Sequence, residues 1–317
     1  MKQTLVLFFF PLMLFGQSFK AQMTQLIADK SYKIVEENAL KVLESKPEDK
    51  LALEFYGDAL AYQNQWGKAM KIYKRLVIKD SKNATYHYKY GGAMGMKALK
   101  VSKWKALGMI GEIEAAFLKA AQLDAKHIDT RWALVEYYMQ LPAIIGGSKS
   151  KALNFANELE QLSLVDGYLA KGYIYEYDDN SELAEIYFKK AIGVGGSLNC
   201  FQKLTNLYER ENRPEDALKN IETAYENFRR NTLNYQMGKV CADYNLQLDK
   251  GERCLKVFIK NHSSKDGVPI EWAYFRMAQI YKNRGNKLEA LHWINKALAI
   301  RIDFEQALEE KQAIMKL

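Results

Sequence analysis

Apolar residues recur every three or four positions through most of the chain, which is the period of an amphipathic α-helix. The clearest stretch is 165–198, which reads VDGYLAKGYIYEYDDNSELAEIYFKKAIGVGGSL. Gly172 and Tyr175 share one face of a first helix, and Ala184 and Phe188 share one face of a second. The DDNS between them supplies turn and N-cap residues. The stretch therefore predicts two short antiparallel helices, whose apolar faces need further hairpins to cover them.

The same spacing recurs along the chain, with a small residue followed twelve positions later by alanine. The matching pairs are Gly57 and Ala69, Thr205 and Ala217, and Ala278 and Ala290. Three more units, beginning at Gly91, Arg131 and Gly238, fit only if their loops are lengthened by about ten, four and four residues respectively. The pattern predicts about seven stacked hairpins.

These residues resemble the tetratricopeptide-repeat family. The match is carried by Tyr168, Gly172, Tyr175, Ala184, Phe188 and Ala191, and again by Tyr56, Gly57, Ala69 and Tyr73. The resemblance covers roughly residues 50–302. It implies an all-α fold, a right-handed α-α superhelix of about seven helical hairpins with helical caps. It also implies a concave groove that holds a protein or peptide.

The predicted organisation has four parts. They are a signal peptide (1–21), N-terminal capping helices (22–48), the repeat array (49–302, with an insertion at about 94–111) and a C-terminal capping helix (303–317).

The first residues follow the three-part plan of a secretory signal peptide. Lys2 precedes an apolar run, Leu5–Phe15, which is too short to span a bilayer. Small residues follow, and cleavage after Ser18 or after Ala21 fits the pattern. We expect an exported protein, periplasmic or secreted and soluble after cleavage. A retained membrane anchor stays open as the alternative.

Composition agrees with a globular chain, since 48% of the residues are apolar and Pro is rare. The net charge of +8 includes Lys2 and Lys20, and removing these two lysines leaves +6. A mildly basic exported protein can meet acidic partners or an anionic membrane surface. No basic cluster is interleaved with aromatic residues as in nucleic-acid readers, so nucleic acid is not an expected partner.

The resemblance implies that solvent-facing positions of the first helices line the groove. These positions are Tyr62, Tyr137, Tyr173, Tyr177, Gln202, Asn206, Tyr235, Lys239, Phe275 and Gln279. Aromatic anchors are common at interfaces. The alternative is that these aromatic residues pack against adjacent helices.

Residues 94–111, MGMKALKVSKWKALGMIG, depart most from the repeat pattern. Lys97, Lys100, Lys103 and Trp104 would form a basic amphipathic element that contacts a membrane surface or an acidic partner. The alternative is an elongated first helix packed on its neighbour.

The sequence contains no pattern that indicates catalysis or metal binding. The four His lie in different repeats without paired ligand spacing, so we expect no metal and no cofactor. Cys241 and Cys254 would lie on facing helices of one hairpin, where a disulfide and two free thiols are both possible. The predicted function is a non-catalytic protein- or peptide-binding scaffold of the cell envelope. The alternative is a peripheral membrane-surface accessory that uses residues 94–111.

Overall fold

The computed structural model describes residues 10–317, with side chains from residue 18 onward. Residues 1–9 of the predicted signal peptide lie outside the described residues. In the described part every regular element is helical, which confirms the predicted all-α class. The chain divides into two compact units, Met1–Leu162 and Ser163–Leu317.

The first unit consists of antiparallel helices that pack on their neighbours in chain order. Its helices are α1 (Phe10–Ala28), α2 (Tyr32–Ser45), α3 (Lys50–Tyr62), α4 (Trp66–Lys79), α5 (Ala84–Ala98), α6 (Lys103–Leu107), α7 (Ile110–Leu123), α8 (Ile128–Gln140) and α9 (Lys149–Leu162). The hairpins are α3 with α4, α5 with α7, and α8 with α9. The short helix α6 lies in the loop that separates α5 from α7.

The second unit repeats this plan more regularly. Its helices are α10 (Leu164–Tyr177), α11 (Ser181–Gly193), α12 (Leu198–Arg210), α13 (Pro214–Phe228), α14 (Asn231–Asp243), α15 (Leu248–Lys260), α16 (Ile270–Asn283), α17 (Lys287–Ile300) and α18 (Glu305–Met315). Four hairpins run from α10 to α17, and α18 packs on α17. Helices α10, α12, α14 and α16 are the first helices of these hairpins.

In several hairpins, a large side chain of the second helix packs directly on a glycine of the first helix. A Cβ added to Gly57 would lie 2.6 Å from a ring carbon of Tyr73, and one added to Gly91 would lie 2.9 Å from the ring of Phe117. Phe188 covers Gly172 in the same way. The spacing seen in the sequence therefore marks positions where two backbones approach too closely for a side chain. The ten-residue delay predicted after Gly91 is confirmed.

The turns inside the hairpins use residues that tolerate the left-handed conformation. The backbone φ angle is positive at Asn64 (60°), Asp179 (54°), Asn212 (54°), Asn245 (52°) and Gly285 (71°). Asn, Asp and Gly adopt this conformation most easily. The reversal between the helices of each of these hairpins is thus encoded locally.

One predicted insertion is wrong in size. The prediction places Cys254 and Phe258 about four residues late after Gly238, but Leu255 covers Gly238. Gly238 and Leu255 are 17 positions apart, against 16 for Gly172 and Phe188, so the spacing is lengthened by one residue rather than four. The turn between α14 and α15 is only one residue longer than the turn between α10 and α11. Gly251 takes the place of the small residue on the second helix, and its Cα faces Cys241.

The three cysteines are free thiols in the structure. Cys200 and Cys241 are buried and Cys254 is partly buried. Burial raises the pKa of Cys241 to about 12. These thiols therefore behave as small apolar packing groups.

The two ends of the array are covered by helices. Helix α1 runs through both predicted cleavage positions, and Met23 on it is fully buried. Phe19 packs edge-on against Phe55, with ring centroids 6.0 Å apart. At the other end Phe304 and Ile314 are fully buried in the last core cluster.

Candidate binding sites

Polar side chains link successive first helices of the second unit. Arg210 on α12 pairs with Glu176 on α10 at 2.9 Å, and Lys239 on α14 pairs with Glu209 on α12 at 2.6 Å. Arg276 on α16 pairs in turn with Asp243 on α14. These links place polar residues of α10, α12, α14 and α16 on one shared surface, which we call the first-helix face.

Side-chain amides form the centre of this face. Gln236 donates to Gln202 at 2.6 Å, and Gln202 donates to Asn206 at 2.7 Å. Each amide carries both a donor and an acceptor. The row can therefore pair with a peptide backbone, which also offers both kinds of group.

A cavity of about 240 Å³ opens beside the amides, between α12, α13 and α14. Gln202, Gln236 and Thr205 line it together with the apolar side chains of Phe201 and Leu233. Asn220 donates to the hydroxyl of Thr205 and to the carbonyl of Phe201, each at 2.8 Å, which fixes one wall. We call this space the amide cavity.

Six of the ten residues predicted for the groove are at least partly exposed in the second unit. Tyr173 and Tyr177 lie one turn apart on α10, with ring centroids at 6.0 Å, and Tyr177 is 51% exposed. Gln202, Asn206 and Lys239 lie on the first-helix face as described. Gln279 accepts a hydrogen bond from Arg276 at 2.7 Å.

Two predicted groove residues are buried instead. Tyr235 is 9% exposed and packs on Phe258, while Phe275 is 5% exposed and packs on Trp272 and Phe304. Their rings fill the space between hairpins, so the expectation that they face solvent is wrong. The spacing of residues along a helix does not show which side of that helix the next hairpin covers. The sequence therefore could not distinguish Tyr235 and Phe275 from the exposed residues.

The other two predicted groove residues belong to the first unit. Tyr62 is 54% exposed, and its ring stacks on Tyr32 of α2 with centroids 4.8 Å apart. Tyr137 is half-buried and donates to the carbonyl of Ile110 at 3.0 Å. The ten residues are therefore divided between the two units.

The first unit contains a larger apolar pocket of about 720 Å³. The first helices α3, α5 and α8 contribute to its wall, together with α4, α6 and α7. Its lining includes Trp66, Tyr88, Gly92, Gly95, Leu107 and Phe117. We call it the first-unit pocket. Sequence analysis missed it, although two glycines inside the predicted helix α5 were a visible signal.

A charged cluster supports one wall of the first-unit pocket. The ammonium group of Lys89 lies 2.6 Å from Glu54 and 2.8 Å from Asp58, and Tyr73 donates to Asp58 at 2.7 Å. Burial lowers the pKa of Lys89, but the two carboxylates outweigh burial and raise this pKa above its ordinary value. Lys89 therefore stays charged and is already paired.

Residues 94–111, which we call the basic segment, form a bend and not a long helix. Helix α5 ends at Ala98, and α6 begins only at Lys103, so the alternative of an elongated first helix is wrong. Leu99 is 72% exposed and Trp104 is 85% exposed. Lys100 and Lys103 are exposed beside them, and Lys97 is half-buried.

Comparisons with known proteins give information on the fold. No protein-family model and no curated protein matches the sequence. The solved structure of yeast Tom70 is 14% identical, has a TM-score of 0.51, and the match covers 93% of this chain and 80% of that one. A tetratricopeptide repeat protein from Parabacteroides merdae is 13% identical, with a TM-score of 0.49, 94% of this chain covered and 98% of that one.

The chain has the tetratricopeptide-repeat fold. A further solved structure, YrrB, is described as a tetratricopeptide-repeat protein with an unusual peptide-binding site. It is 21% identical, with a TM-score of 0.45, and the match covers 62% of this chain and 98% of that one. At identities this low, none of these matches indicates a particular partner.

None of the helices in the described residues combines the length and the apolar character that a membrane span requires.

Proposed function

We propose that this protein is a non-catalytic binding scaffold that holds a protein or peptide of the cell envelope on the first-helix face of its second unit. The observation that carries the proposal is the amide cavity. This cavity is large enough for one side chain, its inner surface is apolar, and side-chain amides lie at its opening. The predicted signal peptide supports the location in the cell envelope.

The geometry suits an extended segment of a partner. One apolar side chain would enter the amide cavity, while Gln202 and Gln236 exchange hydrogen bonds with the backbone beside it. Tyr173 and Tyr177 offer large aromatic surfaces further along the face. Because the hairpins already hold these groups in place, little conformational entropy is lost on binding.

The test is selection of peptides from a displayed random library, followed by affinity measurement by fluorescence anisotropy. The double variant Gln202→Ala and Gln236→Ala should bind the selected peptides about thirtyfold more weakly, since two hydrogen bonds of about 1 kcal/mol each are removed. Thr223→Ala is the control, because Thr223 is exposed on the second helix α13. Peptides that bind the double variant and the wild type equally would refute the proposed site.

A second candidate function is peripheral contact with a membrane surface. Exposure of Leu99 and Trp104 among lysines of the basic segment favours it, since apolar side chains flanked by lysine suit an anionic lipid surface. Co-sedimentation with anionic vesicles should be salt-sensitive and should be lost when Lys100 and Lys103 are changed to Glu. Equal binding to neutral and anionic vesicles would contradict it.

A further inference from the structure

The first-unit pocket is a second candidate binding site, in addition to the first-helix face of the second unit. Its volume of about 720 Å³ falls within the range of sites for small ligands. Polar groups on its wall are mostly engaged, since Lys89 is paired with two carboxylates and Tyr137 donates to a backbone carbonyl. A peptide backbone would find few partners there, whereas a hydrocarbon chain needs none.

Two glycines keep this pocket open. A Cβ added to Gly92 or to Gly95 would meet no atom within 4 Å. At Gly57 and Gly91, by contrast, an aromatic ring occupies that position. Glycine destabilises a helix interior relative to alanine, and packing between helices does not explain it at Gly92 or Gly95. Their effect is to leave the wall of α5 without side chains where it borders the pocket.

Lysines of the basic segment lie at the pocket and near it. Lys103 lines the pocket. The Cε of Lys97 lies 4.0 Å from a Cβ added to Gly67, the residue after the pocket residue Trp66. The lysines of the basic segment form no ion pair within the part of the chain that the structure describes. Their charge is therefore available to an anion.

We propose that the first-unit pocket binds an anionic single-chain amphiphile of the long-chain carboxylate class. The hydrocarbon chain lies against α5 at Gly92 and Gly95, and the carboxylate meets Lys103 and Lys97. The proposal goes beyond the scaffold function, and either one can fail without the other.

The first test compares two probes with the same chain and opposite charge, tetradecanoate and tetradecyltrimethylammonium. Both are titrated into the full-length protein by calorimetry, below the concentrations at which they form micelles. We expect tetradecanoate to bind about tenfold more tightly or better. Absence of tetradecanoate binding, or equal affinity for both probes, would overturn the proposal.

The second test fills the pocket from its own wall. Gly95→Leu places a side chain into open space and also favours the helix, so the variant should fold, which circular dichroism checks. Its affinity for tetradecanoate should fall about tenfold or more. Gly111→Leu is the matched control, because Gly111 is another helical glycine with open space around it and lies outside the pocket. A folded Gly95→Leu variant that binds like the wild type would show that the chain does not enter this pocket.

The third test compares two charge reversals that change the net charge of the protein by the same amount. The pair Lys97→Glu and Lys103→Glu should weaken binding of tetradecanoate and strengthen binding of the cationic probe. The pair Lys119→Glu and Lys126→Glu changes exposed lysines elsewhere in the first unit and should do neither. If both pairs act alike, general electrostatics explains the preference and the assigned head-group site is wrong. Vesicle binding by Gly95→Leu at the wild-type level would separate membrane contact from this pocket.

Discussion

Gly57→Ala is the substitution that tests the packing rule of this fold most directly. The added Cβ would lie 2.6 Å from a ring carbon of Tyr73, where ordinary carbon contacts are about 3.5–4.0 Å. The ring would have to retreat by about 1 Å. Tyr73 is only 3% exposed, and its hydroxyl is held by Asp58 at 2.7 Å. The ring therefore has little freedom to move.

The magnitude follows from two opposing effects. Overpacking of a well-filled core costs about 1–3 kcal/mol, and replacing a helical glycine by alanine gains about 1 kcal/mol. We expect Gly57→Ala to lower the free energy of unfolding by up to about 2 kcal/mol. Gly92→Ala in the same unit meets no neighbour and should raise it by about 0.5–1 kcal/mol. Two chemically identical substitutions should thus act in opposite directions.

Urea unfolding followed by far-ultraviolet circular dichroism measures both variants. Hydrogen exchange with mass spectrometry then assigns each change to the helices of the first unit, since the two compact units need not unfold together. A third variant, Gly57→Ala with Tyr73→Leu, should lose less stability than the sum of its single changes. The reasoning is refuted if Gly57→Ala and Gly92→Ala shift the midpoint in the same direction.

Three further predictions concern titration, thiol reactivity and processing. Burial raises the pKa values of Glu185 and Glu252, but hydrogen bonds from neighbouring lysine, arginine and tyrosine side chains outweigh burial and lower them from 4.5 to about 2. Stability from these groups is therefore present above pH 4.5 and lost as the pH falls towards 2. In a Glu185→Gln, Glu252→Gln variant, the urea concentration at the midpoint of unfolding should fall less than in the wild type as the pH falls over that range. Cys241 should resist iodoacetamide in the native protein and react after unfolding, as peptide mass spectrometry would show. It is fully buried with a raised pKa, and native labelling would contradict this. The predicted signal peptide would be cleaved after Ser18 or after Ala21, which the intact mass of the protein purified from its native cells would show, whereas an unprocessed chain would contradict the prediction.

Much of the fold was predictable because it rests on local signals. The glycine-to-aromatic ladder, as at Gly172 and Phe188, reports how closely two adjacent helices approach, and this is set within about thirty residues. The turn residues Asn64 and Asp179 also act locally, through their tolerance of positive φ. The error of spacing after Gly238 arose because Phe258, the aromatic residue of α15, fits the pattern only with a longer loop, whereas the aliphatic Leu255 takes the covering position.

The candidate sites were less predictable, because they depend on how hairpins meet. Tyr177 and Tyr235 look alike as helical aromatic residues, yet one is exposed and the other is buried between hairpins. The basic segment was recognised from its lysines, while the pocket beneath it was not. Only the packing of α5 against α7 and α8 shows which glycines are covered by rings and which face open space.

The sequence by itself determined the helices, their pairing into hairpins and the tetratricopeptide-repeat fold, since each of these depends on contacts between residues close in the chain. Tertiary structure alone decided which side chains remain accessible. The adjacent hairpin decides whether a given helix face is buried. The position of that hairpin depends on turn lengths and on insertions such as residues 94–111. The amide cavity and the first-unit pocket both arise at that level.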